Sequence, residues 1–402
     1  MKKYGRFFIA ALFSLVCLAG STWAAEPVTV LCGGFPLALE AEAENGVTMV
    51  PLSAFCDETG AVAKIEQAVG GENIITVTRG GHMVSTSVGY DALSNEQGEK
   101  IPLPCPVERR GAVIYVPLRG VAEALGIAVG WDGEAGAVTL ERPQKQVEVS
   151  TVRELVDAVA PDTEILLAPG VYDFSTLDWR QTMMIYVTVE DVLSGGGFDV
   201  VIRDVTNLTL RGGEGVCLVT PYRYADVLRF QDCTHVRVEG VFAKHDVEPG
   251  YCLGDVLEFD DCKYVTVKDC TLDGSGTYGV STRGTNWLRV EDCVVSNCSY
   301  GAFDFSGRHI VVTDTLVENC RKFSLVSLWD SRDVLFENCT FRENEVNELV
   351  ECRGALDVLF RDCTFSDNIA GTEVSLVWKG GGAVFENCVG LEDVAVTETA
   401  GY

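Results

Sequence analysis

The densest set of chemistry-bearing side chains lies between Tyr222 and Arg283. Glu258 and Asp260 stand two apart in the apolar-polar stretch Leu257-Glu258-Phe259-Asp260, whose alternation is that of a β-strand. Both carboxylates therefore face the same way, with Cα atoms roughly 6.5–7 Å apart. Such a spacing borders the roughly 6.5–9.5 Å at which an acid and a base invert a glycosidic carbon. One carboxyl would protonate the leaving oxygen while the other activates water. A second chemistry draws on the cations nearby: Lys244, His245 or Arg283 would abstract a proton beside a uronic carboxylate, which Arg or calcium would neutralise. A third reading needs no substrate, because Arg229 with Glu258 and Asp260 with Arg283 make ion pairs between neighbouring strands. The residues alone leave all three open.

The element that must position these residues is a repeat. VTVKDC, LRVEDC, VLFENC, VLFRDC and AVFENC end at Cys270, Cys293, Cys339, Cys363 and Cys388, and IVVTDT places Thr315 where the others have Cys. Looser copies start at Val236 and Leu208, and successive copies are 22–29 residues apart. A near-fixed period of that size, with short alternating strands and no helical pattern, predicts a parallel β-helix. Its coils stack at about 4.8 Å, so residues at matching positions form ladders.

Aligning the coils on the repeat predicts one outward row of Gln231, Asp260, Arg283, Phe305, Trp329, Arg353 and Trp378, and a second running from Arg229 and Glu258 through Phe303 and Glu351 to Leu376. The positions between them are mostly apolar and face inward; Asp304 departs from that pattern. Phe305, Trp329, Arg353 and Trp378 would offer aromatic faces and charge to sugar rings. Equally, the same residues could form a packed stripe with Arg353 between Trp faces. Two coils are longer than the rest, and the extra residues fall in TPYRYAD (Thr220–Asp226) and KHDVEPGYCLGD (Lys244–Asp255). These loops should lie side by side and bring Tyr222, Arg223, Tyr224, Lys244 and His245 near Glu258.

Upstream of the repeat, 27–143 contain two related passages, Thr48–Ile65 and Ile114–Trp131. Each is a strand entering Val-Pro-Leu, an amphipathic helix stopped by Gly60 or Gly126, and a further strand. VPLRGVAEALGIAVGWD (Val116–Asp132) resembles the copper amine oxidase N-terminal-like domain of exported bacterial proteins. That resemblance implies an envelope-associated accessory module; His82 is the domain's sole histidine, so a copper site is not expected. From Val147 to the end, TVRELVDAVA (a helix to plug the first coil), EILLAPGVYDFS and the repeat together resemble right-handed parallel β-helix proteins related to pectin lyases. The resemblance implies a polysaccharide-lyase, glycoside-hydrolase, epimerase or noncatalytic surface role. Asp260-Asp261 is similar to the paired aspartates of polygalacturonases, but their NTD and GHG motifs are missing, as is the Asp-cluster and Arg signature of pectate lyases.

Composition bounds the rest. Lys2, Lys3 and Arg6 precede the apolar run Phe7–Leu18 and a small-residue site near Ala24, which predicts a signal peptide over 1–24 and a secreted, extracellular chain. No other stretch is long enough to span a membrane. A net charge of −28 argues against nucleic acid or anionic lipid as partner. Sixteen cysteines, fifteen after Cys17, cannot all pair internally, and their recurrence at matching coil positions predicts stacked, buried thiols. No cofactor or metal site is predicted, with calcium at the acidic cluster kept open. The expectation is an exported, mainly β protein that binds a polysaccharide or envelope glycan along an outward ladder, with cleavage open. The alternative is a noncatalytic surface or adhesion rod.

Overall fold

The computed structural model describes residues 26–67, 73–178, 184–192, 197–247, 252–274, 276–377, 381–393 and 395–396. The segment 1–24 and Trp378 lie outside them.

In the N-terminal domain, strands Val47–Pro51 and Val113–Pro117 pair antiparallel, with Val50 opposite Val116. Each runs straight into a helix, α1 (Leu52–Thr59) and α2 (Leu118–Ala124). The helices bury Leu52, Phe55 and Cys56 from one and Leu118, Val121 and Ala122 from the other. Gly60 and Gly126 follow them at φ 72° and 76°, the left-handed turn that ends a helix without a Cβ clash. Three more strands extend this sheet, and the others form two further small sheets.

The second domain is a parallel β-helix of three sheets. The first holds the repeat strands and runs from Lys145–Val149 to Ala383–Glu386. The second runs from Gly170–Asp173 to Thr364–Ser366. The third starts with Val187–Asp191, which is antiparallel to Phe198–Arg203; every later pair in it is parallel. Helix α3 (Val152–Ala158) covers the open first coil with Leu155 and Val156. Thr151 caps it, accepting from Glu154 N at 3.1 Å, and Glu154 reaches back to Ser150 N at 2.7 Å.

The repeat now has a physical reading. Its two apolar positions stack inward, as in Val265–Leu288–Ile310–Val334–Val358, all buried. Its Asp or Asn turns the chain with positive φ: Asp269, Asp292, Asp314, Asn338, Asp362 and Asn387 lie between 51° and 55°. These residues tolerate that region best after glycine, because the short polar side chain bonds locally. The Cys that follows points inward and its thiol returns to the carbonyl two residues back, as Cys293 to Glu291 at 3.2 Å. Thr315 makes the same bond to Thr313 at 2.9 Å, which explains why Thr can stand there. All fifteen described cysteines are thiols.

The predicted register slips at one coil. Ser281 pairs with Asp304 and Asp304 with Ser327, whereas Phe305 pairs with Leu328. Phe303 and Phe305 therefore face the core, fully buried, with rings stacked at 5.2 Å. Phe305 is not part of an outward ladder, and the outward residue there is Asp304. The turn between Asp304 and Gly307 is one residue shorter than its counterpart between Ser281 and Thr285, which shifts a count made back from the repeat strand. Near the C-terminal end Arg353 pairs with Val377, one residue short of the predicted Trp378.

Candidate functional site

The outer face of the third sheet carries two charged rows. One runs Arg229–Glu258–Ser281–Asp304–Ser327–Glu351, and the other contains Gln231–Asp260–Arg283 and Trp329–Arg353. Strand alternation puts both outward, since Phe230, Phe259 and Leu328 between them are buried.

At its N-terminal end the face is an acidic pile. Asp226 and Asp255 occupy equivalent turns just before their strands. Asp199 Oδ1 accepts Asp226 N at 2.7 Å, Asp226 Oδ1 accepts Asp255 N at 2.7 Å, and Asp255 accepts Tyr278 N at 3.0 Å and Ser281 Oγ at 2.5 Å. Each carboxyl thus caps the turn of the next coil. Burial pushes Asp199 up to about 6 and Asp255 up to about 7. It pushes Asp226 well above the usual range, with the neighbouring Asp255 and Glu258 carboxylates adding to the shift. A carboxyl whose pKa is raised by burial is the kind of group that general acid catalysis uses.

Arginines bind this pile together. Arg229 lies 3.2 Å from Glu258 and 2.8 Å from Asp260, and Arg283 lies 3.2 Å from Glu258. Glu258 is only 4 % exposed between them. The predicted Asp260–Arg283 pair is absent from the described ion pairs; Arg229 takes Asp260 instead. Glu258, Asp260 and Arg283 are brought together as predicted, but as an ion-paired cluster.

Lys244 and His245 are not brought to this face. Their strand, Phe242–His245, belongs to the second sheet, around the corner of the coil. Lys244 pairs with Asp246 at 2.9 Å on that sheet's outer side. His245 is buried, and its Nε2 lies 2.9 Å from the Ala225 carbonyl, which pins the first long loop. The two loops do lie side by side: Leu253 N donates to Arg223 O at 2.9 Å. Tyr222 packs on Phe198 at 5.3 Å, Arg223 faces Cys252 Sγ at 3.7 Å, and Tyr224 is exposed. Tyr222 and Arg223 therefore brace the loop pair.

Further along, Arg353 lies over the Trp329 ring at 4.3 Å and pairs with Glu351 at 2.6 Å. Trp329 is 36 % exposed and donates to Ser327 Oγ at 2.8 Å. A second aromatic column borders the face at the corner: Tyr278 meets Tyr300 at 6.3 Å, and Tyr300 meets Phe323 at 4.5 Å. Burial, with Asp304, Asp255 and Glu351 beside it, pushes the Tyr278 phenol up, so this column stands against the acidic row. Phe323 is 45 % exposed. Asp226, Asp255, Tyr278, Tyr300 and Phe323 were missing from the sequence reading. Signals existed: Asp-Val-Leu recurs at Asp226 and Asp255, and the three aromatics follow one another by one coil.

Residues 255–394 match the family model of the right handed beta helix region, and 35–140 match that of the copper amine oxidase N-terminal domain. The chain joins a copper amine oxidase N-terminal domain to a right-handed β-helix. Among the described residues, no three His, Cys, Asp or Glu side chains gather as a metal site. No curated protein sequence matches the chain. Solved structures similar to the β-helix chain include a pectate lyase of a Bacillus species in complex with trigalacturonate (14% identity, TM-score 0.42, covering 66% of this chain and 84% of that one). Others are an alpha-1,3-glucanase catalytic domain in complex with tetrasaccharides (8%, 0.39, 87% and 82%) and an alginate lyase of a Paenibacillus species (13%, 0.31, 60% and 98%). No helix among the described residues is long and apolar enough to cross a membrane.

Proposed function

We propose that the protein is an exported glycan-binding β-helix that lays a polysaccharide across the outer face of its third sheet. The observation that carries this reading is the pair of aromatic edges, Tyr300–Phe323 and Trp329–Arg353, flanking one row of carboxylates. Aromatic faces stack on the C–H faces of sugar rings, and carboxylates and guanidinium groups accept or donate to the hydroxyls. Ladders at about 4.8 Å per coil suit a long, repetitive ligand better than a compact one.

Cleavage is the finer reading. Burial raises the pKa of the Asp226 carboxyl at one end of the face, which supplies a candidate acid, but the neighbouring Glu258 is held by two arginines. That enclosure favours binding without turnover, the surface-protein alternative. A glycan array followed by reducing-end and unsaturated-product assays tests both. Binding of a polysaccharide that Trp329→Ala weakens supports the groove. No binding to any glycan would sink it, and product formation abolished by Glu258→Gln would instead assign catalysis. Export is tested by N-terminal sequencing of the protein from culture medium and envelope fractions.

A further inference from the structure

A different cleft lies between the two domains, on the outer face of the first sheet. Its volume is about 440 Å³, within the roughly 300–1,000 Å³ typical of small-molecule sites. Cys32, Phe35 and Arg142 line it from the N-terminal domain, and Asn207, His235 and Tyr264 from the β-helix.

Two side chains in this cleft have unspent polar atoms. Arg142 is 9 % exposed, and neither its Nε nor its Nη1 has a hydrogen-bond partner among the described residues. Cys32 lies against the guanidinium, but burial holds that thiol above its ordinary pKa, so it brings no full negative charge. The Nε2 of His235 is likewise buried without a partner, while the ring bonds the Glu58 backbone. Burial first, then Arg142 and Lys263, push this imidazole well down, which leaves it neutral with Nε2 as an acceptor. A buried cation with unmet donors calls for an anion, and a buried neutral acceptor beside it calls for a hydroxyl. Phe35 and the Tyr264 ring, 5.5 Å apart, supply apolar wall. Arg237, also on the lining, is already paired with Glu239.

We propose that this cleft binds a small hydroxy acid of the sugar-acid class, its carboxylate on Arg142 and a hydroxyl on His235 Nε2. The site is separate from the third-sheet groove and does not depend on that reading. Because both domains contribute, the ligand would hold them together and raise the melting temperature of the whole chain.

Calorimetric titration and thermal shift with glucuronate, glucose and acetate test it. Glucuronate is expected to bind at least about tenfold more tightly than glucose, which lacks the carboxylate, or acetate, which lacks the hydroxyls. Arg142→Met should abolish binding. His235→Asn should weaken it about tenfold without unfolding the chain, since Asn207 occupies the equivalent place one coil earlier at φ 60° against 54°. Trp329→Ala should leave it unchanged. The proposal fails if glucuronate does not bind, if acetate binds equally well, if His235→Asn leaves affinity intact, or if Trp329→Ala abolishes it, which would move the uronate to the groove.

Discussion

The β-helix presents two long outer faces made by the same coils, and they have opposite fates. On the first sheet, the outward column His235–Tyr264–Trp287–His309 is aromatic, with ring separations of 4.5, 6.4 and 4.0 Å, and the N-terminal domain packs on it. Tyr264 is buried, its hydroxyl donates to Glu58 at 2.7 Å, and Lys263 reaches the same carboxylate at 2.5 Å. Arg289 donates to Gly34 O at 2.9 Å and lies over Phe35 at 4.2 Å. On the third sheet, the outward rows are charged and bordered by aromatics, with Arg283 and Trp329 exposed. Inward positions are alike on both, so the coil specifies the scaffold while the outward residues divide it into a docking face and a charged face.

The comparison can be broken most forcefully at the docking face. Replacing Glu58 by Ala leaves the partly buried Lys263 unpaired and should cost about 3 kcal/mol, read as a lower urea midpoint for the N-terminal domain; a loss below about 0.5 kcal/mol would mean that the interface does not hold the domain. On the charged face, Trp329→Ala should leave the urea midpoint alone and reduce glycan affinity about tenfold, or 1.4 kcal/mol. An unchanged affinity would make Trp329 and Arg353 a packed stripe.

A smaller effect distinguishes the acidic pile from ordinary surface charge. Its carboxyls have raised pKa values, so their contribution to stability is full below the ordinary Asp value of 3.8 and is lost as pH rises through about 6 for Asp199 and about 7 for Asp255. Wild type should therefore weaken between about pH 4 and pH 7, with little further loss to pH 8. Asp226→Asn keeps the acceptor for Asp255 N and removes a carboxyl that resists ionisation. It should flatten that slope and gain about 1 kcal/mol at pH 8; an unaltered slope in urea titrations across that range would count against the pile. The smallest change is expected at Thr315→Cys, which restores the repeat and should shift stability by less than about 0.5 kcal/mol. A larger loss would show that the hydroxyl bond to Thr313, and not mere inward packing, matters there.

Much of the charged face was legible in the chain. Glu258, Asp260, Arg283, Trp329 and Arg353 face outward as the alternation predicts, because strand geometry ties sequence parity to face. Phe305 failed because parity is counted back from the repeat strand, and the turn between Asp304 and Gly307 is one residue shorter than in the coil before. Lys244 and His245 failed for another reason. Their proximity to Glu258 in sequence crosses a corner of the coil, and the corner turns the two strands onto different sheets. Asp226 and Asp255 were visible as a repeated Asp-Val-Leu, yet their shared burial depends on the loops that fold over them.

The sequence by itself determined the coil. Its period, its inward apolar columns, the Asp or Asn at each left-handed turn and the small donor that follows are local requirements, and each recurs with the chain. The tertiary structure alone decided which face is covered, which carboxyls lose water and which cations they meet. Desolvation and ion pairing depend on what neighbouring coils and the docked domain bring to a residue, and no single coil encodes that.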